Sequence, residues 1–567
     1  MKNFFKVFGN VLKAYNLEEK VLSVVFLLLF VFFGVKAGLY MFSPGSLLMA
    51  DVDMYTEGVI SPRPVLINPL YTDFSQANRD ISTLVFSGLL KYDPKLKAFV
   101  DDLASLKISD DRKDYTFTLK DNVMWHDGVP LTADDVIFTY GLIQSDEFQN
   151  PLLRANFEGV KIEKVDEKTV KMSLTKPNSF FVSTLNVGIL PQHILKDTPT
   201  TDLLVSQFNL SPVGTGPYKV NSQLETTGDG TQRVLLIRNE NYYSVKPKIN
   251  QIRFDFYPDE NALLKEKSAV NIVSKVTGAL RDLANDQRFQ KLSYSLPQYT
   301  GVFFNTESDK LKNQKVRVAL VKLIDKDQLI AQLQDKIRVD TPLMELNQKN
   351  WIFKPDEKEA NGALFDAGYK FKKNDKGELI DGEAYRRDKD GNEFELILAA
   401  RKFDGGSEQA SEAEKTVNYL VEAWKKGGVK VTVNWMDEGQ FAEAISTKQY
   451  DMILAGQSMG YNLDTYPFWH SSQAKDGGLN LSKFKNFAAD AQIEKIRSTF
   501  DKDEKEDRQK KLAQTLADEV PVLVLYRPNY LFLTDSKVQN VSMENWSFES
   551  DRFINVADWC IGKECNN

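Results

Sequence analysis

Tyr115-Thr-Phe-Thr-Leu-Lys-Asp-Asn-Val-Met-Trp-His-Asp-Gly128, followed closely by Leu131-Thr-Ala-Asp-Asp-Val136, sets a strand, a turn and a helix start in one short run. Tyr115, Phe117 and Leu119 alternate with threonines, the period-2 pattern of a half-buried strand. His126-Asp-Gly128 supplies a tight turn. Thr132, with Asp135 three residues on, forms a capping box that opens a helix carrying Val136, Ile137, Tyr140 and Ile143 on one face. The same mixture continues outward. Residues 160–174 read as a hairpin turning near Asp166, and Ile252, Phe254 and Phe256 mark another alternating strand. In the second half, residues 299–305 are strand-like and 315–335 carry a helical pattern. Residues 407–426 form a long amphipathic helix stopped by Gly427-Gly428. Strands at 429–435 and 450–455 then flank a helix near 441–447. Strand and helix alternating in this way predict an α/β fold with ligand-facing loops at strand ends. Residues 372–391 are polar and read as a surface hairpin. Its Asp388-Lys-Asp-Gly391 run lacks the further ligands of a calcium loop and reads as a turn.

A chain of 567 residues is too long for one hydrophobic core, so two or three folding units are expected. A net charge of −7, with no Lys/Arg stripe interleaved with aromatics, argues against a nucleic-acid partner. The 36 Phe and 21 Tyr fill a core, and some of them suit a cleft lined by flat, sequence-tolerant faces. At the N-terminus, Lys2, Lys6, Lys13 and Lys20 precede a mostly apolar run over 21–42, long enough to cross a bilayer as a helix. The lysines place the N-terminus in the cytoplasm and the remainder outside. A cleaved signal peptide ending near Ala50 is the rival reading. No Cys follows the run. The two cysteines, Cys560 and Cys565, lie in the C-terminal tail, where an extracytoplasmic setting permits a small disulfide loop or two free thiols.

Catalytic and cofactor motifs are scarce. There is no Walker loop, no GxGxxG and no HExxH, and no metal or cofactor is expected. His126, His193 and His470 share no ligand spacing and read as surface or packing residues. Gly456-Gln-Ser-Met-Gly460 does fit the nucleophile elbow of a serine hydrolase, with Ser458 as nucleophile and Asp464 and His470 following. Against it, no helical pattern follows Ser458, and the partners lie within a dozen residues of it. A membrane-anchored hydrolase therefore stays as an alternative, alongside a receptor module that reports ligand occupancy.

Several segments in fixed order resemble the family 5 extracellular solute-binding proteins. They are Ile67-Asn-Pro-Leu70, Leu84-Val-Phe-Ser-Gly-Leu-Leu90, the 115–128 and 131–136 stretches quoted above, Pro212-Val-Gly-Thr-Gly-Pro-Tyr218 and Arg238-Asn-Glu-Asn-Tyr-Tyr243. Phe303-Phe-Asn305, Lys315-Val-Arg-Val-Ala-Leu320, Ala367-Gly-Tyr369, Tyr450-Asp-Met-Ile-Leu454 and Pro521-Val-Leu-Val-Leu-Tyr526 complete the set. The resemblance implies a periplasmic-binding-protein type II-like α/β fold, with three domains in two lobes around a cleft, preceded here by one transmembrane helix. It implies no catalysis: a monomer captures a small solute, most often a peptide, by hinge closure and delivers it to ABC permease and ATPase subunits. The expected division is a cytoplasmic segment 1–20, an anchor 21–42 and a linker 43–60. A discontinuous domain of lobe 1 spans 61–90, 213–300 and 520–567, an accessory domain 91–212, and lobe 2 301–519.

The implied ligand-binding residues are Ile67, Asn68, Pro69, Leu70, Phe86, Gly456, Gln457, Ser458, Met459, Gly460, Tyr461, Asp464 and Trp469. By the same resemblance, 456–464 is the strand-end loop that meets ligand. Peptide-binding members carry a Trp after the first glycine and an Asp a few residues later that pairs with the peptide amino group. This chain has Gln457 and Gly460 there. Asp464 is the nearest carboxylate, and Tyr461 stands in for the aromatic.

Overall fold

A computed structural model of the chain describes residues 54–562 and Cys565, except for 62–65, 222–224, 229, 344–345, 347–352, 377–383, 404–406 and 462. The segment 1–20, the apolar span 21–42 and the linker as far as 53 lie outside these residues. Among the described residues no helix is long and apolar enough to cross a membrane.

The stretch that opened the sequence reading folds as its pattern dictates. The strand Asp114–Leu119 buries Tyr115 and Phe117 completely and pairs with Ala104–Ile108 on one side and Thr169–Ser173 on the other. Lys161–Lys164 completes this four-stranded antiparallel sheet, turning back through residues 165–168. The helix Ala133–Gln144 begins at Thr132, whose N–H donates to Asp135 Oδ2 at 2.9 Å. Its buried Val136, Tyr140 and Ile143 pack on the sheet.

A larger sheet of eight strands runs in the order Phe289–Tyr294, Tyr530–Asp535, Ile272–Val276, Met54–Ile60, Gln251–Tyr257, Gln232–Arg238 and Tyr218–Val220, with Glu225–Thr226 paired to Gln232–Arg238. Met54–Ile60 lies in the middle of this sheet, parallel to Ile272–Val276, which corrects the expected linker over 43–60. The polar Thr56 and Glu57 obscured the strand, because they are buried by pairing and not by apolarity. Glu57 and Asp80 together clasp Arg552, all fully buried, with Arg552 Nη2 at 2.6 and 2.8 Å from the two carboxylates. Tyr55 donates its hydroxyl to Glu57 at 2.7 Å. Burial is the main force pushing Asp80 up to about 6, opposed by Arg552.

The third sheet has six strands, ordered Lys336–Arg338, Val522–Pro528, Gln298–Phe304, Met452–Ser458, Glu395–Arg401 and Lys430–Met436. Glu395–Arg401 runs parallel to both Lys430–Met436 and Met452–Ser458. The helix Glu408–Lys426 makes the first crossover. It is capped by Ser407 and stopped at Gly427, with Val417, Leu420 and Trp424 against the sheet. Trp424 Nε1 donates to the Leu320 carbonyl at 2.9 Å. The chain passes between the six- and eight-stranded sheets twice, within 295–297 and at Asn529. Val522–Pro528 therefore belongs to the six-stranded sheet, and the chain crosses to the eight-stranded sheet at 529 and not at 520. At the two passages, Ser295 Oγ donates to Asn529 Oδ1 at 3.3 Å.

The Val213-Gly-Thr-Gly-Pro217 run threads tightly past a helix end. A Cβ on Gly214 would sit 1.9 Å from the Val85 carbonyl oxygen, and one on Gly216 2.4 Å from that of Leu84. Neutral His126 clamps the run. Gly214 N–H donates to its Nδ1 at 3.2 Å, so Nε2 carries the proton and donates to the Gly216 carbonyl at 3.1 Å. Burial pushes this imidazole down to about 4. Near the C-terminus, Cys560 and Cys565 are joined in a disulfide.

Candidate functional site

A cavity of about 1020 Å³ opens between the eight- and six-stranded sheets, at the top of the ~300–1,000 Å³ range of ligand clefts. The eight-stranded sheet contributes Lys275 and Tyr530. The six-stranded sheet contributes Gln298 and the strand-end run Ser458 to Tyr461. Arg79 and Phe86 come from the helix Gln76–Val85 and its exit, and the 3-10 segment Glu549–Asp558 closes the remaining wall. Flat rings line it: Tyr92, Tyr242, Tyr461, Phe468, Tyr530 and Trp546. Such faces bind many side chains at low geometric cost, because stacking demands no particular hydrogen-bond pattern.

Tyr461 is the centre of the aromatic wall. Its ring lies 4.9 Å from Tyr92, 5.5 Å from Phe99 and 5.0 Å from Phe548, the last two edge-on. Its hydroxyl donates to Asp551, whose other oxygen accepts the N–H groups of Ser547 and Phe548 at 2.6 and 3.0 Å. Burial pushes Asp551 up to about 6 in spite of these donors. Arg79 stacks on the Phe548 ring at 4.3 Å. Lys275 sits over the Tyr530 ring at 4.5 Å, and the Tyr530 hydroxyl accepts from Gln298 at 2.5 Å.

Of the thirteen residues implied by resemblance, Pro69, Phe86, Ser458, Met459, Gly460, Tyr461 and Asp464 line the cavity. The other six do not. Ile67 and Leu70 are core residues, and Asn68 is a helix cap: its Oδ1 accepts from Leu70 N–H at 3.0 Å while its Nδ2 donates to Asn209. Trp469 is buried on Phe303. Gly456 and Gln457 stay within the strand Met452–Ser458, where Gln457 accepts the Tyr299 hydroxyl at 2.6 Å. Asp464, the expected stand-in for an amine-binding carboxylate, already faces Arg497 at 2.9 Å and accepts from Tyr466 N–H at 3.0 Å. The C-terminal 3-10 segment, Arg79 and Lys275 were not anticipated. The Ser547-Phe-Glu-Ser-Asp-Arg552 run is dense in charge between Trp546 and Phe553 but has no period to betray a wall element.

No nucleophilic triad assembles. Ser458 ends an extended strand opposite Gln298, without the strand-to-helix turn of an elbow. His470 instead sets Nδ1 against Ser472 Oγ at 2.8 Å and stacks on Tyr466. The sequence model of the bacterial extracellular solute-binding proteins, family 5 (Middle), matches residues 98–478, about two thirds of the chain. The chain belongs to that family. It is an extracytoplasmic solute-binding protein, not an enzyme.

Its relatives agree on fold and class. The oligopeptide-binding protein AppA of Bacillus subtilis is 27% identical over 520 residues, spanning 88% of this chain and 90% of that one. The structure of that AppA with a nonapeptide superposes with a TM-score of 0.71 at 26% identity, covering 90% of this chain and 99% of the other. NikZ from Campylobacter jejuni, in complex with Ni(L-His), gives a TM-score of 0.70 at 27% identity and covers 90% and 99% of the two chains.

Proposed function

We propose that this family 5 protein receives peptides and hands them to an ABC permease and its ATPase. The observation that carries the reading is the cavity: large, ringed by aromatic faces, and walled from both large sheets. The likeness to an oligopeptide-binding protein over most of the chain supports it. On this reading the eight-stranded and four-stranded sheets form one lobe, the six-stranded sheet the other. The passages at 295–297 and 529 are the hinge. Closure around the ligand removes it from water, and the closed form is what a permease reads. The protein acts as a monomer, and the basic, apolar N-terminal run tethers it to the membrane; retention in the pellet after alkaline carbonate extraction tests the tether.

The ligand class is tested with the full-length protein in detergent, titrated with peptides of two to nine residues, sugars and nickel–histidine. A ligand that binds only the folded state raises the melting temperature. Peptides are expected to raise it. A shift with sugar or metal chelate and none with any peptide defeats the reading.

A further inference from the structure

Six carboxylates line the cavity: Asp93, Asp102, Asp464, Glu549, Asp551 and Asp558. Asp93 accepts the N–H groups of Lys95 and Leu96 in a turn. Asp102 accepts the Tyr243 hydroxyl at 2.8 Å and faces Lys91. Asp464 is held by Arg497, and Asp551 by two backbone N–H groups and Tyr461. Asp558 is exposed. Glu549 differs from all five. It is 9% exposed, yet among the described residues its carboxylate makes no hydrogen bond and no ion pair. A largely buried, unpaired carboxylate on a cavity wall invites a counter-charge from the ligand. The neighbouring Arg552 is fully engaged with Glu57 and Asp80, and spends a further N–H on the Glu549 main-chain carbonyl at 2.5 Å. Lys275, also on the cavity wall, places its ammonium on the Tyr530 ring. Burial lowers its affinity for a proton, but Tyr530 and then Glu549 more than reverse this, so the two charges sense each other across the cavity without touching.

We infer that Glu549 receives the positively charged group of a bound peptide, an α-ammonium or a lysine side chain, in place of the engaged Asp464. The inference rests on the peptide reading and moves cation recognition from the strand-end loop to the C-terminal 3-10 segment. Lys275, beside Gln298 and Tyr530, stands ready for a nearby carbonyl or carboxylate of the same ligand. A charge-assisted contact with a buried carboxylate is the strong kind of hydrogen bond.

The test is calorimetric titration of full-length protein and its E549Q variant with pentaalanine, N-acetyl-pentaalanine and N-acetyl-Ala-Ala-Lys-Ala-Ala. In the native protein, acetylation is expected to weaken pentaalanine about 30-fold if the terminus is the cation, and the lysine peptide to recover most of that if the side chain serves. In E549Q the preference for either cation should vanish, while Asp464→Asn keeps it. Should E549Q lose its cooperative melting transition, E549D replaces it and should retain the preference at weaker affinity. If peptides bind but neither acetylation nor the added lysine changes affinity in native protein, or the preference survives in E549Q, Glu549 is not the receptor. Binding of none of the three removes the peptide reading as well.

Discussion

At the scale of single residues, the protein keeps charge in its interior by pairing it, and the cost of that choice can be read out with pH. Asp551 is pushed up to about 6 from an ordinary carboxyl value of 3.8. A carboxyl that holds its proton more tightly folded than unfolded favours the fold while protonated. Its contribution is therefore largest below pH 4 and is lost as pH rises through about 6. Asp551→Asn should remove this slope, which amounts to about 2–3 kcal/mol at most by linkage; urea unfolding at intervals from pH 4 to 7 measures it. Arg552→Met strands Glu57 and Asp80 without their cation and should cost roughly 3–5 kcal/mol. Adding Glu57→Gln and Asp80→Asn to that variant should return much of the loss, whereas an uncharged packing role for Arg552 would leave the triple variant as unstable as the single one. None of this was legible in the sequence. Glu57, Asp80 and Arg552 are hundreds of residues apart at the extremes, and nothing in their local runs marks them as a buried set.

At the scale of elements, legibility follows periodicity. The strand Asp114–Leu119, the capped helix Ala133–Gln144 and the crossover helix Glu408–Lys426 announce themselves by apolar spacing and by Thr132, Ser407 and Gly427 at their ends. The strand Met54–Ile60 does not, since ion pairing buries its polar residues. The 3-10 segment Glu549–Asp558 starts at Phe548, which has no capping side chain, and is held instead by Asp551 reaching back to the Phe548 N–H, so the wall it supplies to the cavity stayed hidden. The glycine run at 213–217 entered the sequence reading only as a segment of the family resemblance, and the structure adds its close approach to the Leu84 and Val85 carbonyls and its His126 clamp. A Gly214→Ala methyl must displace the Val85 carbonyl, a backbone group, so the variant should lose upwards of ~3 kcal/mol or fail to accumulate folded. His126 carries the opposite pH signature to Asp551. Its folded value is about 4, below an ordinary 6.5, so its contribution is fully present above pH 6.5 and is lost as pH falls toward 4. His126→Ala should be destabilised at pH 7.5 by about 1–3 kcal/mol for the two broken contacts, and the melting temperature of the variant should fall less steeply than that of the native protein between pH 6.5 and 4.

At the scale of the whole molecule, hinge closure needs contacts that form across the cleft and nowhere else. On the proposed reading, one such clasp is centred on Ser179 and Phe180. Ser179 donates its N–H to the Arg497 carbonyl at 2.6 Å and its hydroxyl to that of Ile496, and Lys505 donates to Ser179 Oγ at 3.0 Å. Lys505 also covers the Phe180 ring at 3.6 Å, and that ring is buried in the core of the six-stranded sheet although its chain leads out of the four-stranded one. Replacing Phe180 and Lys505 together by Ala removes an aromatic anchor, a cation–π contact and a hydrogen bond that, on the proposed reading, hold the two lobes together. The closed population should drop, and since apparent affinity scales with the fraction of competent molecules, peptide binding should weaken about tenfold. Spin labels at Lys107→Cys and Lys511→Cys, both exposed and on opposite sides of the clasp, report the same event as a distance. Ligand should narrow the distance distribution in the native background and the double alanine variant should widen it. An unchanged distance with a lowered melting temperature would assign the clasp to folding and deny it any part in closure.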